Sequence, residues 1–227
     1  PDDRSWVQPL PESVITEMLG HLPALKKRHL AVQDITANDF PLPESAAFLA
    51  SIHAAVEQGP GFALLSGFPS DRLGYDDTVL LYAGLMAHFG TIIPQSRAGE
   101  YVVDVSDKGR PIGPGARGHY GNDSLPFHAD GGNAVSLLCL QTAPEGGRSL
   151  LVSGAAIYNE VVRQHPEYLP ILERGFHHHR REERGPGDAA VTPWRTPVFA
   201  YYAGYFHISY IRPSIDFCVD EGIVISA

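Results

Sequence analysis

The stretch LPFHADGGN, residues 125–133, sets a histidine and an aspartate two positions apart, behind a proline and ahead of two glycines. Pro126 biases the residue before it toward an extended backbone. In an extended stretch, side chains at i and i+2 leave one face, about 6.6 Å apart along the chain. His128 and Asp130 can therefore turn inward onto one metal ion while Ala129 points away. Imidazole nitrogens and carboxylate oxygens both ligate at about 2.0–2.2 Å. Gly131 and Gly132 let the backbone turn off and leave room above such an ion. One imidazole, one carboxylate and a second imidazole from elsewhere form the facial triad that holds non-haem iron(II), with positions open for co-substrate and oxygen. A chain with 11 histidines also produces an H-x-D pair by chance, so the pair alone leaves open a surface histidine near a turn.

Such a pair needs elements to hold it. ESAAFLASIHAAVEQ, residues 44–58, carries apolar residues at helical spacing and stops at Gly59-Pro60-Gly61, which predicts an amphipathic helix. His53 lies beside its apolar stripe and reads as packed or solvated. GFALLSGFP then reads as a buried strand, and a second helix runs from Tyr75 to a stop at Gly90. Strands are expected at EYVVDVSD (100–107), NAVSLLCLQ (133–141) and RSLLVS (148–153), and helices at GAAIYNEVVRQH and PEYLPILERG. FHHHRREE reads as β, and TPVFAYYAGYFHISYI as two strands around Ala203-Gly204. The first 43 residues, with prolines at 9, 11, 23, 41 and 43, read as an N-terminal lead-in to a domain spanning 44–227. Gly113 to Gly118 matches G-x-G-x-x-G, but HYGNDSLPF cannot supply the helix a dinucleotide site requires, so the segment reads as a glycine-rich loop. The pattern is an α+β domain with its strands concentrated after residue 90.

Composition narrows the partners. Seventeen Lys+Arg against 26 Asp+Glu give a net charge of −9, which repels a phosphate backbone, and the one basic cluster, HHHRREER at 177–184, is interrupted by two glutamates. No nucleic acid is expected as a partner. No apolar run approaches the roughly 20 residues of a membrane span, and the first residues show no signal-peptide pattern. Two cysteines, Cys139 and Cys218, make no disulfide framework. A soluble, cytoplasmic protein without a membrane partner is the expectation, with a homo-oligomer left open.

The surroundings of the pair sharpen its reading. LPFHADGG followed by VSLLCLQTAPEGGRSLLVSGAAIYNEV resembles the taurine dioxygenase-like (TauD/TfdA) family of iron(II)- and 2-oxoglutarate-dependent dioxygenases. The resemblance runs upstream through GFALLSGFP, AHFGTIIPQ and RGHYGNDSLPFH and downstream to YIRPSIDF, roughly residues 45–217. It implies a double-stranded β-helix (jelly roll, clavaminate synthase-like) with flanking helices. It implies iron(II) as cofactor with 2-oxoglutarate and O2 as co-substrates, and a small-molecule substrate oxidised as 2-oxoglutarate is decarboxylated to succinate and CO2. His128 and Asp130 take the place of the proximal ligands. Ser149 falls where the family has a hydroxyl that hydrogen-bonds the distal carboxylate of 2-oxoglutarate, although a strand-start serine paired with backbone reads equally well. Halogenating relatives have Ala or Gly at the carboxylate position, so Asp130 implies hydroxylation, desaturation or cyclisation.

The family's third ligand, a distal histidine, and the arginine that follows it have no counterpart here, because no histidine occurs after His207. His177 and His179 would share a strand face, but the run reads as a solvated or substrate-facing strand, and His207 falls at a non-ligand position of the family. The domain therefore reads as lacking its C-terminal strands, with the expectation that the native chain continues past Ala227. Two other readings stand beside the oxygenase: a non-catalytic jelly-roll small-molecule-binding protein that has lost the iron site, and a metal enzyme of the same shell that ignores 2-oxoglutarate. Arg117 and HHHRREER are candidates to face an anionic group, and Tyr201, Tyr202 and Tyr205 to line a pocket.

Overall fold

A computed structural model describes residues 6–109, 113 and 120–224, without the side chain of Glu182. Arg117 and the glycine-rich loop beyond Gly113 lie outside the described residues. The chain divides into two compact units, Pro1–Val103 with Ser136–Gly146, and Asp104–Val135 with Gly147–Ala227.

The core of the first unit begins with α1 (Glu12–Lys27), in which Val14, Ile15, Met18, Leu22 and Leu25 recur at helical spacing and are all buried. Pro11 directly precedes the helix, where a missing N–H costs nothing, and Pro23 lies on the exposed face. Glu12 in the first turn and Lys26 and Lys27 in the last complement the helix dipole. The segment expected as a lead-in thus supplies residues from Leu10 to Leu42 to a core shared with Leu49, Leu81 and Leu85. The helix expected at 44–58 is α2 (Ala46–Glu57). Glu17 of α1 closes its open N-terminus, accepting hydrogen bonds from the Glu44 amide at 2.9 Å and the Ser45 hydroxyl at 2.5 Å. A short parallel pair joins β1 (Val7–Pro9) to β2 (Leu64–Ser66), the strand expected within GFALLSGFP. The next helix, α3 (Tyr75–Met86), ends before Gly90, with the His88 and Phe89 amides in turn-type hydrogen bonds to the Leu85 and Met86 carbonyls. It is held to α1 by the Lys26–Asp77 ion pair at 2.7 Å. Gly84 is required there: a Cβ would come within 2.7 Å of the fully buried Phe40 ring.

In the second unit, α4 (Gly154–Gln164) is capped by Ser153, whose hydroxyl accepts from the Ala156 amide at 3.3 Å. A 3-10 turn at Pro166–Tyr168 leads into α5 (Leu169–Arg174), which stops at Gly175 with φ of 75°. The expected pair of strands forms as β3 (Phe199–Tyr202) and β4 (Tyr205–Ile208), antiparallel, with Tyr202 opposite Tyr205. One face of this hairpin carries Phe199, Tyr201, Phe206 and Ile208. Tyr158 of α4 packs edge-on against Phe199 and Phe206, and Gly154 lets α4 approach Ile208. Last comes α6 (Arg212–Asp216). The run expected as β at 176–183 is extended only to His179, bridged to Thr196 and Val191, and then turns into a 3-10 helix at Arg181–Glu183.

Among the described residues the chain is therefore a mixture of helices and two two-stranded sheets. The apolar stretches expected as strands at 100–107, 133–141 and 148–153 carry no strand. β propensity records how well a side chain fits a pleated surface, and a strand exists only where another backbone supplies the ladder. No helix among the described residues is long and apolar enough to cross a membrane.

Candidate metal centre

Pairing on one side fixes the LPFHAD segment. His128 forms an antiparallel bridge with Ile211, and the Ala129 amide donates to the Tyr210 carbonyl at 2.8 Å. The backbone is thereby held extended at His128, and Gly132, with φ of 98°, breaks it away two residues beyond Asp130. Within this frame His128 Nε2 lies 3.3 Å from Asp130 Oδ1. Two donors at that separation, each about 2.1 Å from one ion, subtend roughly 100° there, close to the right angle of adjacent positions in an octahedron. His128 Nδ1 stands 2.8 Å from the Pro126 carbonyl. A carbonyl only accepts, so Nδ1 donates to it, which leaves Nε2, on the Asp130 side, as the nitrogen that would face an ion. That carbonyl is a contribution the sequence reading missed; its signal was an extended residue two positions before the histidine. Both side chains are open to solvent, 33% exposed at His128 and 52% at Asp130, which suits a centre that must admit ligands.

Ser149 is exposed and outside any strand, and its hydroxyl makes no hydrogen bond among the described residues. The remaining histidine candidates are occupied elsewhere or stand apart. His177 Nδ1 bonds the Thr192 carbonyl at 2.8 Å. His179 Nδ1 accepts the Arg181 amide at 2.9 Å while its Nε2 faces Glu221 at 3.6 Å. His207 is exposed on β4 against the edge of the Tyr202 ring. Tyr201, Tyr202 and Tyr205 are likewise exposed. Among the described residues no three His, Cys, Asp or Glu side chains gather as a metal group, so the pair offers two donors of a set.

Fold and site together define a class, a mixed α and β chain with a His-x-Asp pair whose side chains approach to 3.3 Å beside an extended segment. The chain belongs to the TauD/TfdA family: the family described as taurine catabolism dioxygenase TauD, TfdA family matches residues 26–219. It is 30% identical over 211 residues to FR-33289 synthase of Streptomyces rubellomurinus (strain ATCC 31215), an alignment covering 92% of this chain and 62% of that protein. It is 28% identical over 180 residues to taurine hydroxylase-like protein SAT17 of Stachybotrys chartarum (strain CBS 109288 / IBT 7711), covering 75% of this chain and 46% of that protein. The matched regions are thus less than two thirds of either relative's length.

Proposed function

We propose that this chain carries an iron(II)- and 2-oxoglutarate-dependent oxygenase site acting on a small molecule, with His128 Nε2 and the Asp130 carboxylate as protein ligands and Ser149 as a donor to the 2-oxoglutarate carboxylate. The observation that carries the reading is the 3.3 Å approach of His128 Nε2 to Asp130 Oδ1, with Nδ1 turned to the Pro126 carbonyl. Bound iron(II), with 2-oxoglutarate and O2, supplies the oxidation of an unactivated C–H bond coupled to decarboxylation to succinate and CO2. The chain's own part is to present the imidazole lone pair, to fill one position with a carboxylate, and to keep both on one face through the pairing with Tyr210 and Ile211. A carboxylate at Asp130 favours hydroxylation, desaturation or cyclisation over halogenation. Family membership and the antiparallel pairing around His128 support a double-stranded β-helix as the parent fold.

Anaerobic addition of 2-oxoglutarate to the iron(II) protein is expected to produce a visible charge-transfer band, and admission of oxygen to release succinate. Both are expected to vanish in His128→Ala. A protein that binds no iron(II) and releases no succinate overturns the reading; iron binding without the band makes it a metal enzyme with another co-substrate.

A further inference from the structure

Among the buried side-chain nitrogens of the run HHHRR that lack a hydrogen-bond partner, and that the metal centre does not use, are His178 Nε2 and Arg180 Nε. Residues 176–179 lie extended against the 190–196 segment: Thr192 N donates to the His178 carbonyl at 2.9 Å, and Arg180 N to the Ala190 carbonyl at 2.8 Å. Alternation sends His177 and His179 to one face, where they meet Thr192 O, Glu221 and the Phe217 ring. His178 and Arg180 leave from the other. On that face His178 Nε2 and Arg180 Nε are both buried with no hydrogen-bond partner. Arg180 lies over the Trp194 ring at 5.3 Å and forms no ion pair with a described carboxylate, in a chain whose net charge is −9. Asp188, in the same loop, is turned to the Gly185 amide at 2.8 Å.

Buried polar atoms without partners are rare in native structures and call for an absent group. An arginine Nε–H forms one prong of the fork that grips a carboxylate or phosphate side-on. A neutral imidazole two residues along the same face adds one N–H, and burial pushes His178 toward that neutral form. We propose that His178 and Arg180 form an oxyanion site taking the phosphate or carboxylate group of a small molecule, with Trp194 holding the guanidinium in place.

The test follows the 15N-labelled imidazole of His178, assigned through His178→Asn, as the purified chain is titrated with inorganic phosphate, acetate or sodium chloride at matched ionic strength. Phosphate, acetate or both are expected to shift the His178 signal where chloride does not, the stronger of the two naming the preferred oxyanion. In Arg180→Gln the dissociation constant is expected to rise about tenfold or more, and in Arg180→Lys by less, because the charge remains and the fork is lost. Unchanged His128 signals show that the variants are folded; should Arg180→Gln not fold, calorimetry on His178→Asn carries the same comparison. A response no larger than that to chloride, or equal affinity in wild type and variants, overturns the proposal.

Discussion

At the scale of single residues, the histidine and aspartate are distinguished by what lies behind them. Pro126, whose ring favours extension of the residue before it, also supplies the carbonyl to which His128 Nδ1 donates. Asp130→Asn keeps the shape of the pair and removes the charge, so iron(II) affinity is expected to fall on the order of 100-fold. That is the upper end of the roughly 10- to 100-fold cost of losing an outer-shell partner, as fits a change at a proposed ligand itself; competition with a metal-sensitive dye measures it, and an unchanged affinity would remove Asp130 from the site. The two thiols separate as clearly. Cys218 is 1% exposed and its thiol is directed at the His177 and Ser214 carbonyls, with burial raising its pKa, whereas Cys139 is exposed. A thiol reagent such as an aromatic disulfide should therefore react with one equivalent in the native protein and with a second only on unfolding. Rapid release of two equivalents contradicts the burial.

At the scale of elements, legibility followed locality. Helices α2, α3 and α4 were visible because periodicity and stop residues are local, and so was the hairpin around Ala203-Gly204. α1 was obscured by Pro11 and Pro23, which sit before the helix and on its exposed face, where neither breaks it. The missing strands depend on partners that no local pattern reveals. The hairpin turn itself carries strain: Ala203 and Gly204 adopt φ of 51° and 84°, a two-residue turn with both residues left-handed. Asparagine tolerates the first position better than alanine, so Ala203→Asn is expected to raise stability by about 1 kcal/mol, read as a higher urea midpoint with an unchanged slope. The cap between α1 and α2 gives a pH test. Burial works to raise the pKa of Glu17, but the hydrogen bonds from Ser45 and Glu44 outweigh it and hold the carboxyl below its ordinary 4.5. A depressed carboxyl stabilises the fold above that value and loses the contribution as pH falls through its folded value. Urea midpoints of wild type and Glu17→Gln are therefore expected to differ at pH 7 and to converge only as the pH falls below the ordinary 4.5; a constant gap would show that the charge contributes nothing.

At the scale of the whole molecule, charge and apolar exposure pull in opposite directions. A net charge of −9 keeps copies apart and disfavours nucleic acid. Against it stand Val135, Leu137, Leu140, Leu150, Leu151 and Val152, all at least half exposed in stretches whose composition suits buried strands. Monomers rarely leave apolar surface of this kind uncovered, and its exposure drives association. Apolar attraction is indifferent to salt while charge repulsion is screened within about 8 Å at physiological ionic strength. Sedimentation velocity on the 227-residue chain should therefore show association that grows with added salt. The double change Leu137→Lys with Leu151→Lys should suppress it at every salt concentration, although it brings the net charge two units closer to neutral. If repulsion alone governed the chain, the same double change would promote association. The sign of its effect therefore separates an apolar surface in search of a cover from a molecule kept apart by charge alone.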